Sequence, residues 1–188
     1  MYSDIEILQG CKRQERHFQE HLYKQYAPKM FGICLRYAPD RDVANDIFQE
    51  GFIKVFQNIH QFKGESALSS WMYRVFVTTA INYIQRTLKS RFEVSMNESL
   101  LDKEENLDET ERDHWLNHVS KEEALSMVQA LPEKYRLIIN LYAIDKMSHH
   151  EISVLLGISE TSSRSQLSRA RKLLSERLKL ALSKKIGE

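Results

Sequence analysis

Apolar residues recur along this chain at intervals of three and four, and nowhere do they alternate over the length of a strand. The pattern predicts an all-α protein. One helix is expected over Arg16–Tyr37, with Phe18, Leu22, Tyr26, Met30, Ile33 and Leu35 roughly on one side and Pro28 inside it as a kink or break. Ala38-Pro39-Asp40 interrupts the run, and Asp40 can cap a second helix. That helix, Arg41 to about Ile59, carries Val43, Ile47, Phe52, Val55, Phe56 and Ile59 as an apolar stripe. Its other face carries Asp42, Asp46, Gln49, Glu50 and Gln57. After the polar stretch Phe62-Lys63-Gly64-Glu65-Ser66, a further helix runs from Leu68 to about Leu88, rich in aromatics: Trp71, Tyr73, Phe76 and Tyr83.

Between Thr87 and about Asn117 the periodicity dissolves into acidic and polar residues, too poor in apolar surface to offset the entropy of ordering. The expected organisation is two small helical domains, 1–91 and 119–188, joined by an acidic linker over 92–118, with Trp115 and Leu116 docking near the linker's end. The second domain should hold one helix ending at Ala130, a second opening at Pro132, and then a pair within SHHEISVLLGISETSSRSQLSRARKLL, residues 148–174.

That pair has the grammar of a helix-turn-helix. Ser148 with Glu151 fits a capping box, Gly157 stands where a helix end needs a left-handed residue, and Ser159 can cap the second helix of the pair. Ile152, Leu155 and Leu156 should face inward, with Ile158 plugging the corner. In the second helix Leu167, Ala170 and Leu174 form the buried side and leave Arg164, Ser165, Ser168, Arg169 and Arg171 outward. Arginine can offer two parallel donors to a guanine edge, and serine can donate or accept. Ser162, with the first amides of that helix, can hold a phosphate, while Arg171, Lys172 and Arg177 lie where phosphates would pass.

Composition sharpens this reading only through its distribution. The chain has 27 Lys+Arg against 26 Asp+Glu, a balance that excludes nothing. Yet Ser163–Lys185 holds eight basic residues and one acidic, while Glu98–Asp113 holds eight acidic and two basic. A polyanion at one end is the implied partner. Cys11 and Cys34 have neither CxxC nor metal-ligand spacing, so two buried or half-buried thiols are expected rather than a disulfide. His149-His150-Glu151 is not a zinc helix, because the position four after His150 is Val154. Exposed histidines at a helix start are expected there, with no metal and no cofactor. With no run of eighteen apolar residues and no signal-peptide pattern, an intracellular protein without membrane insertion is expected.

Residues 38–59, APDRDVANDIFQEGFIKVFQNI, resemble the helix by which sigma-70-family initiation factors grip RNA polymerase, and residues 62–75, FKGESALSSWMYRV, resemble the family's promoter-melting stretch. From ALPEKYR (130–136) through the helix pair, the chain is similar to the family's −35-reading domain. With these two modules filling the 188 residues, the resemblance is to the small extracytoplasmic-function (ECF) group. It implies a non-enzymatic, cytoplasmic factor that binds core RNA polymerase, through the largest subunit's coiled coil and the flap, and promoter DNA. An anti-sigma factor is the implied regulator.

By the resemblance, Asp42, Asp46, Gln49, Glu50 and Phe52 contact the polymerase. The melted −10 strand would meet Phe62, Lys63, Ser66 and Ser69 in and after the loop, and Trp71, Arg74, Thr78, Asn82 and Arg86 along the helix. For Trp71, base capture and core packing both stand open. The −35 duplex would meet Ser162, Arg164, Ser165, Gln166, Ser168, Arg169, Arg171 and Lys172. The sequence departs from the family where Phe76-Val77-Thr78 replaces a usual Ala-Arg-Asn, and Asn82 a usual Asp. It departs again where Ser163 replaces a common valine and Gln166 a common arginine, so the promoter sequence is not inherited. The rival reading is a stand-alone helix-turn-helix regulator with an N-terminal dimerisation or sensor domain, which predicts a palindromic operator.

Overall fold

The computed structural model describes residues 2–92 and 120–186; of the expected linker over 92–118, all but Phe92, and so Trp115 and Leu116, lie outside them. Two compact units divide between residues 95 and 96, and every described element is helical.

In the first unit, α1 spans Asp4–Lys12, α2 Arg16–Tyr37, α3 Arg41–Asn58 and α4 Leu68–Phe92. A 3-10 turn, Ile59–Gln61, closes α3. Each start has a local cause. Ser3 and Glu6 form a capping box for α1, and the Asp40 carboxylate accepts from the Val43 amide at 2.9 Å to open α3. The α1 helix ends on Gln14 at φ +60, with the Gln14 amide donating to the Cys11 carbonyl and the Glu15 amide to the Gly10 carbonyl, both at 3.0 Å. A cluster of aromatic rings sits in a core that also holds Leu22, Met30, Ile47, Val55 and Ile81. Phe52 meets Phe48 and Phe76 edge to face at 5.0 and 5.2 Å, Phe48 and Phe76 are tilted at 6.1 Å, and Tyr23, Phe31 and Phe56 lie around them. Gly51 allows the approach of α4 to α3, since a Cβ there would sit 2.4 Å from the Phe76 ring.

Pro28 does not break α2, which runs continuously through it. The ring lies on the exposed side, where the Lys24 carbonyl that loses its helical donor can be hydrated. Similarly α4 continues to Phe92 rather than fading at Thr87. The Thr87 hydroxyl donates back to the Tyr83 carbonyl at 3.1 Å and so does not compete with the helix. Cys11 and Cys34 are free and buried, and burial pushes their thiols up to about 11 and about 12, which makes both unreactive at neutral pH.

The second unit contains α5 (Lys121–Gln129), α6 (Glu133–Ile139), a π-helical turn (Asn140–Ile144), α7 (His149–Leu156) and α8 (Glu160–Ile186). Its core is aliphatic: Leu131, Leu137, Ile138, Leu141, Ile152 and Leu167 are all buried, and α8 packs on both α6 and α7. Inside lies Arg136, 2% exposed. Its guanidinium donates to the Gln129 carbonyl and, at 3.3 Å, to the Leu131 carbonyl, while Arg177 donates to the Ala130 carbonyl at 2.9 Å. Two arginines thus satisfy the orphan carbonyls at the end of α5. Among the described residues no helix is long and apolar enough to cross a membrane.

Candidate functional site

The helix-turn-helix forms as its residues dictate. Ser148 and Glu151 make the capping box, and Gly157 takes φ +68 at the end of α7. The Ser162 amide donates to Ser159 Oγ at 3.0 Å, opening α8. Leu167 and Ala170 are buried as expected, whereas Leu155, Leu156, Ile158 and Leu174 are only half-buried.

On the outer side of α8 Arg164 and Lys172 are exposed, and Ser162, Ser165, Gln166, Ser168, Arg169 and Arg171 are half-buried. The polar groups near the start of α8 are organised along the helix. Arg164 pairs with Glu160 at 2.8 Å, Gln166 donates to Ser162 Oγ at 2.9 Å and Ser165 to the Ser162 carbonyl at 3.1 Å. Such exposed i,i+4 ties contribute only tenths of a kcal/mol, so approaching DNA can take these donors over; about 0.3–0.5 is usual. Arg171 is further along, its guanidinium 5.5 Å from the Tyr142 ring centroid.

The histidines differ from expectation. His149 is half-buried, stacked on Tyr142 at 4.6 Å, with Nδ1 2.9 Å from Ser163 Oγ. Ser163, where family members commonly have valine, is fully buried and joins the first turn of α7 to the recognition helix. Burial, with Arg164 and Arg171 nearby, lowers the His149 pKa below its ordinary 6.5. His150 is exposed as expected and sits 3.1 Å from Glu160.

In the first unit Asp42, Asp46 and Gln49 are exposed on α3, and Glu50 is half-buried. Phe52 is 5% exposed and belongs to the aromatic core, so it supports the strip from beneath instead of presenting a contact. The strip is also tied across to α4. Tyr83 donates its hydroxyl to Asp46 at 3.0 Å, and Glu50 pairs with Arg86 and with Lys54, each at 2.7 Å. Burial alone would raise the Glu50 pKa, but the bonds and charges of Lys54 and Arg86 outweigh it and hold the carboxyl below its ordinary range. Arg86, read from sequence as a DNA contact, is therefore joined to a residue read as a polymerase contact. Tyr83 is read from the sequence only as one of the aromatics of its helix, and Lys54 is not singled out there; their ties to the strip depend on a partner on another helix or within the strip itself.

The loop and α4 form the other face. Phe62 is 7% exposed and packs on half-buried Trp71, ring centroids 5.4 Å apart, so the Trp71 indole is neither wholly core nor free. Lys63 is exposed, Ser66 and Ser69 are half-buried, and Arg74 donates to Ser66 Oγ at 3.2 Å. Arg74, Thr78 and Asn82 come at intervals of four, all exposed, in one line along α4 towards Arg86. Aromatic and cationic groups along one helix, beside a glycine loop, suit a single strand whose bases are unstacked. Phe76, in the interior, does not join them.

Comparison with known proteins finds a match in each unit. The family model described as Sigma-70 region 2 matches residues 22–90, and that described as Sigma-70, region 4 matches residues 121–174, about two-thirds of the chain between them. The "ECF RNA polymerase sigma-E factor" of Haemophilus influenzae is 29% identical over 185 residues, covering 94% of this chain and 95% of that protein. The protein of the same name from Escherichia coli (strain K12) is 29% identical over 168 residues, 84% of each chain. A solved structure of the sigma factor RpoE in complex with the anti-sigma factor NepR from Bartonella quintana matches with a TM-score of 0.49 and 18% identity, over 85% of this chain and 96% of that one. The chain belongs to the sigma-70 family of RNA polymerase initiation factors, in its extracytoplasmic-function group.

Proposed function

We propose that this sigma factor docks on core RNA polymerase through the α3 strip and reads its promoter with two separate helical units. Residues 1–91 serve polymerase binding and −10 strand capture, 119–188 serve −35 recognition, and 92–118 join them. What supports the reading is the pairing, in one chain, of an aromatic-cationic face on α4 with a helix-turn-helix whose second helix carries exposed Arg164 and half-buried Arg169 and Arg171. Asp42, Asp46, Gln49 and Glu50 would meet the basic side of the largest subunit's coiled coil, and the second unit would rest on the flap. Lys63, Ser66, Ser69, Trp71, Arg74, Thr78, Asn82 and Arg86 would line the path of the opened strand, with Phe62 backing Trp71.

The energetics are consistent. Taking a base out of the duplex costs a few kcal/mol. Stacking one base on an aromatic ring returns about 1–3 kcal/mol. Arg164, Ser165, Gln166, Ser168 and Arg169 would read the −35 duplex, and Ser162, Arg171 and Lys172 would hold its phosphates. The factor supplies binding and strand opening in the cytoplasm, and the polymerase supplies the chemistry. An anti-sigma factor is the regulator that membership of this group implies.

Co-elution with bacterial core polymerase tests the docking assignment. The wild-type protein should form a stable complex, and the double reversal Asp46→Lys, Glu50→Lys should weaken it at least hundredfold, because like charges brought together cost several kcal/mol. Undiminished binding by the double variant would place docking elsewhere.

A further inference from the structure

Helix α1 precedes the segment that matches sigma-70 region 2, yet it reaches the strand-capture loop. Lys12, at its C-terminal end, donates from Nζ to the Phe62 carbonyl at 2.8 Å, across fifty residues of sequence. We infer that Lys12 is a positioning residue for promoter opening: by holding that carbonyl it fixes the 62–66 loop in the shape that receives the unpaired base. The inference rests on the reading of this loop as the −10 capture site.

At the start of the loop the Phe62 amide also donates to the Ile59 carbonyl at 3.2 Å. The loop lies between the 3-10 turn and α4, and Gly64 takes φ +81 within it. Two of its other ties run to α4: the Phe62 ring on Trp71 at 5.4 Å, and Ser66 Oγ to Arg74 at 3.2 Å. Both involve side chains that the incoming strand would itself engage, so both are exchanged when DNA arrives. Lys12 comes from α1 rather than α4 and acts on backbone, so its bond can persist while Trp71 and Arg74 change partners. Without it, the loop must be ordered at the moment of capture, and that entropy is subtracted from capture.

The anchor is itself well held. Ile7 and Cys11 are buried beneath α1, and the Asp4 carboxylate accepts from Tyr26 at 3.2 Å and from Gln25 at 3.2 Å on α2. A Cβ at Gly10 would lie 2.0 Å from the Phe18 ring, so α1 and α2 meet closely there. A lysine on such a helix has a defined place from which to reach.

The test uses the full chain with bacterial core polymerase, on promoter DNA where the wild-type pair opens a bubble detected by permanganate. Lys12→Met keeps the aliphatic stem and loses the donor; Lys12→Arg keeps a donor. For Lys12→Met we expect unchanged polymerase binding, faster hydrogen exchange at residues 63–66 of the free protein, and a threefold to tenfold loss of permanganate reactivity, about the scale of one ordinary hydrogen bond. Lys12→Arg should restore most of the loss. Full opening by Lys12→Met overturns the inference. So does a loss of opening with unchanged exchange and a shallower salt dependence, which would make Lys12 a direct phosphate contact. Trp71→Ala, run in parallel, separates the two levels. If it too opens the promoter fully, the strand-capture reading itself fails; if it fails to open while Lys12→Met succeeds, only the role of Lys12 falls.

Discussion

The helix-turn-helix and the α3–α4 face are built from the same side-chain types but bonded over different distances. Near the start of α8 the ties of Arg164, Ser165 and Gln166 run three or four residues along the helix, to Glu160 and Ser162. Between α3 and α4 they span 37 residues for Asp46 with Tyr83 and 36 for Glu50 with Arg86. Their cores differ too, aliphatic around Ile152 and Leu167, aromatic around Phe52 and Phe76. A local tie can be read from spacing once a helix is granted. A cross-helix tie needs the packing register of two helices, and that register is set by groups such as Gly51 under the Phe76 ring.

The second unit's own tie between two elements, from Arg136 to the end of α5, is the place to break this contrast first. Replacing Arg136 with alanine leaves a cavity and removes a donor from the carbonyls of half-buried Gln129 and buried Leu131. The expected cost is about 3 kcal/mol in denaturant unfolding of the second unit, since each orphaned buried group costs about 1–3 kcal/mol. A loss below about 1 kcal/mol would mean that local caps alone hold this unit.

Next in size are Arg164→Ala and Arg169→Ala. Each should weaken −35-dependent initiation by about 1–3 kcal/mol while leaving polymerase binding unchanged. Full activity of the double variant, measured on a promoter mutated base by base, would remove the recognition-helix assignment.

These distances also explain why the two regions differ in legibility. The capping boxes at Ser120 and Ser148, the left-handed Gly157 and the caps at Asp40 and Ser159 are all local, and all but the Ser120 box are identified from the sequence. Beyond the local boxes at Ser3 and Ser120, what escaped was tertiary. Phe62 turns inward, and Phe52 stays with its apolar stripe rather than serving as a contact, because partners from other elements receive them. The π-helical turn at Asn140–Ile144 has a buried amide behind it, Asn140 Nδ2 donating to the Arg136 carbonyl at 2.8 Å, and its periodicity resembles that of an ordinary helix. Pro28 is a propensity signal that its exposed setting overrides.

A smaller pair of variants sharpens the comparison. Ser148→Ala removes a local cap and should cost about 1 kcal/mol. Arg86→Ala removes a cross-helix pair whose arginine is 64% exposed, and after solvent screening it should cost under about 1 kcal/mol. Both are read by thermal unfolding, and the reverse order would show that the α3–α4 tie carries stability as well as position.

The smallest effect is pH-dependent. The folded His149 pKa lies below its ordinary 6.5, so the unfolded chain binds the extra proton more readily. The neutral ring's contribution is complete above about pH 6.5 and is lost as pH falls from there through the folded value. His149→Gln should flatten that part of the stability-pH curve, measured by denaturant midpoints across the window, and an unchanged slope would assign it to another group.

Run-off transcription tests the central claim most directly: purified bacterial core polymerase, with and without this protein, on duplex DNA from the region upstream of its own coding sequence and on fragments sampling the rest of the genome. The account predicts new discrete transcripts that depend on the protein and disappear with Trp71→Ala. Stable binding to core polymerase with no protein-dependent transcript from any fragment would contradict it.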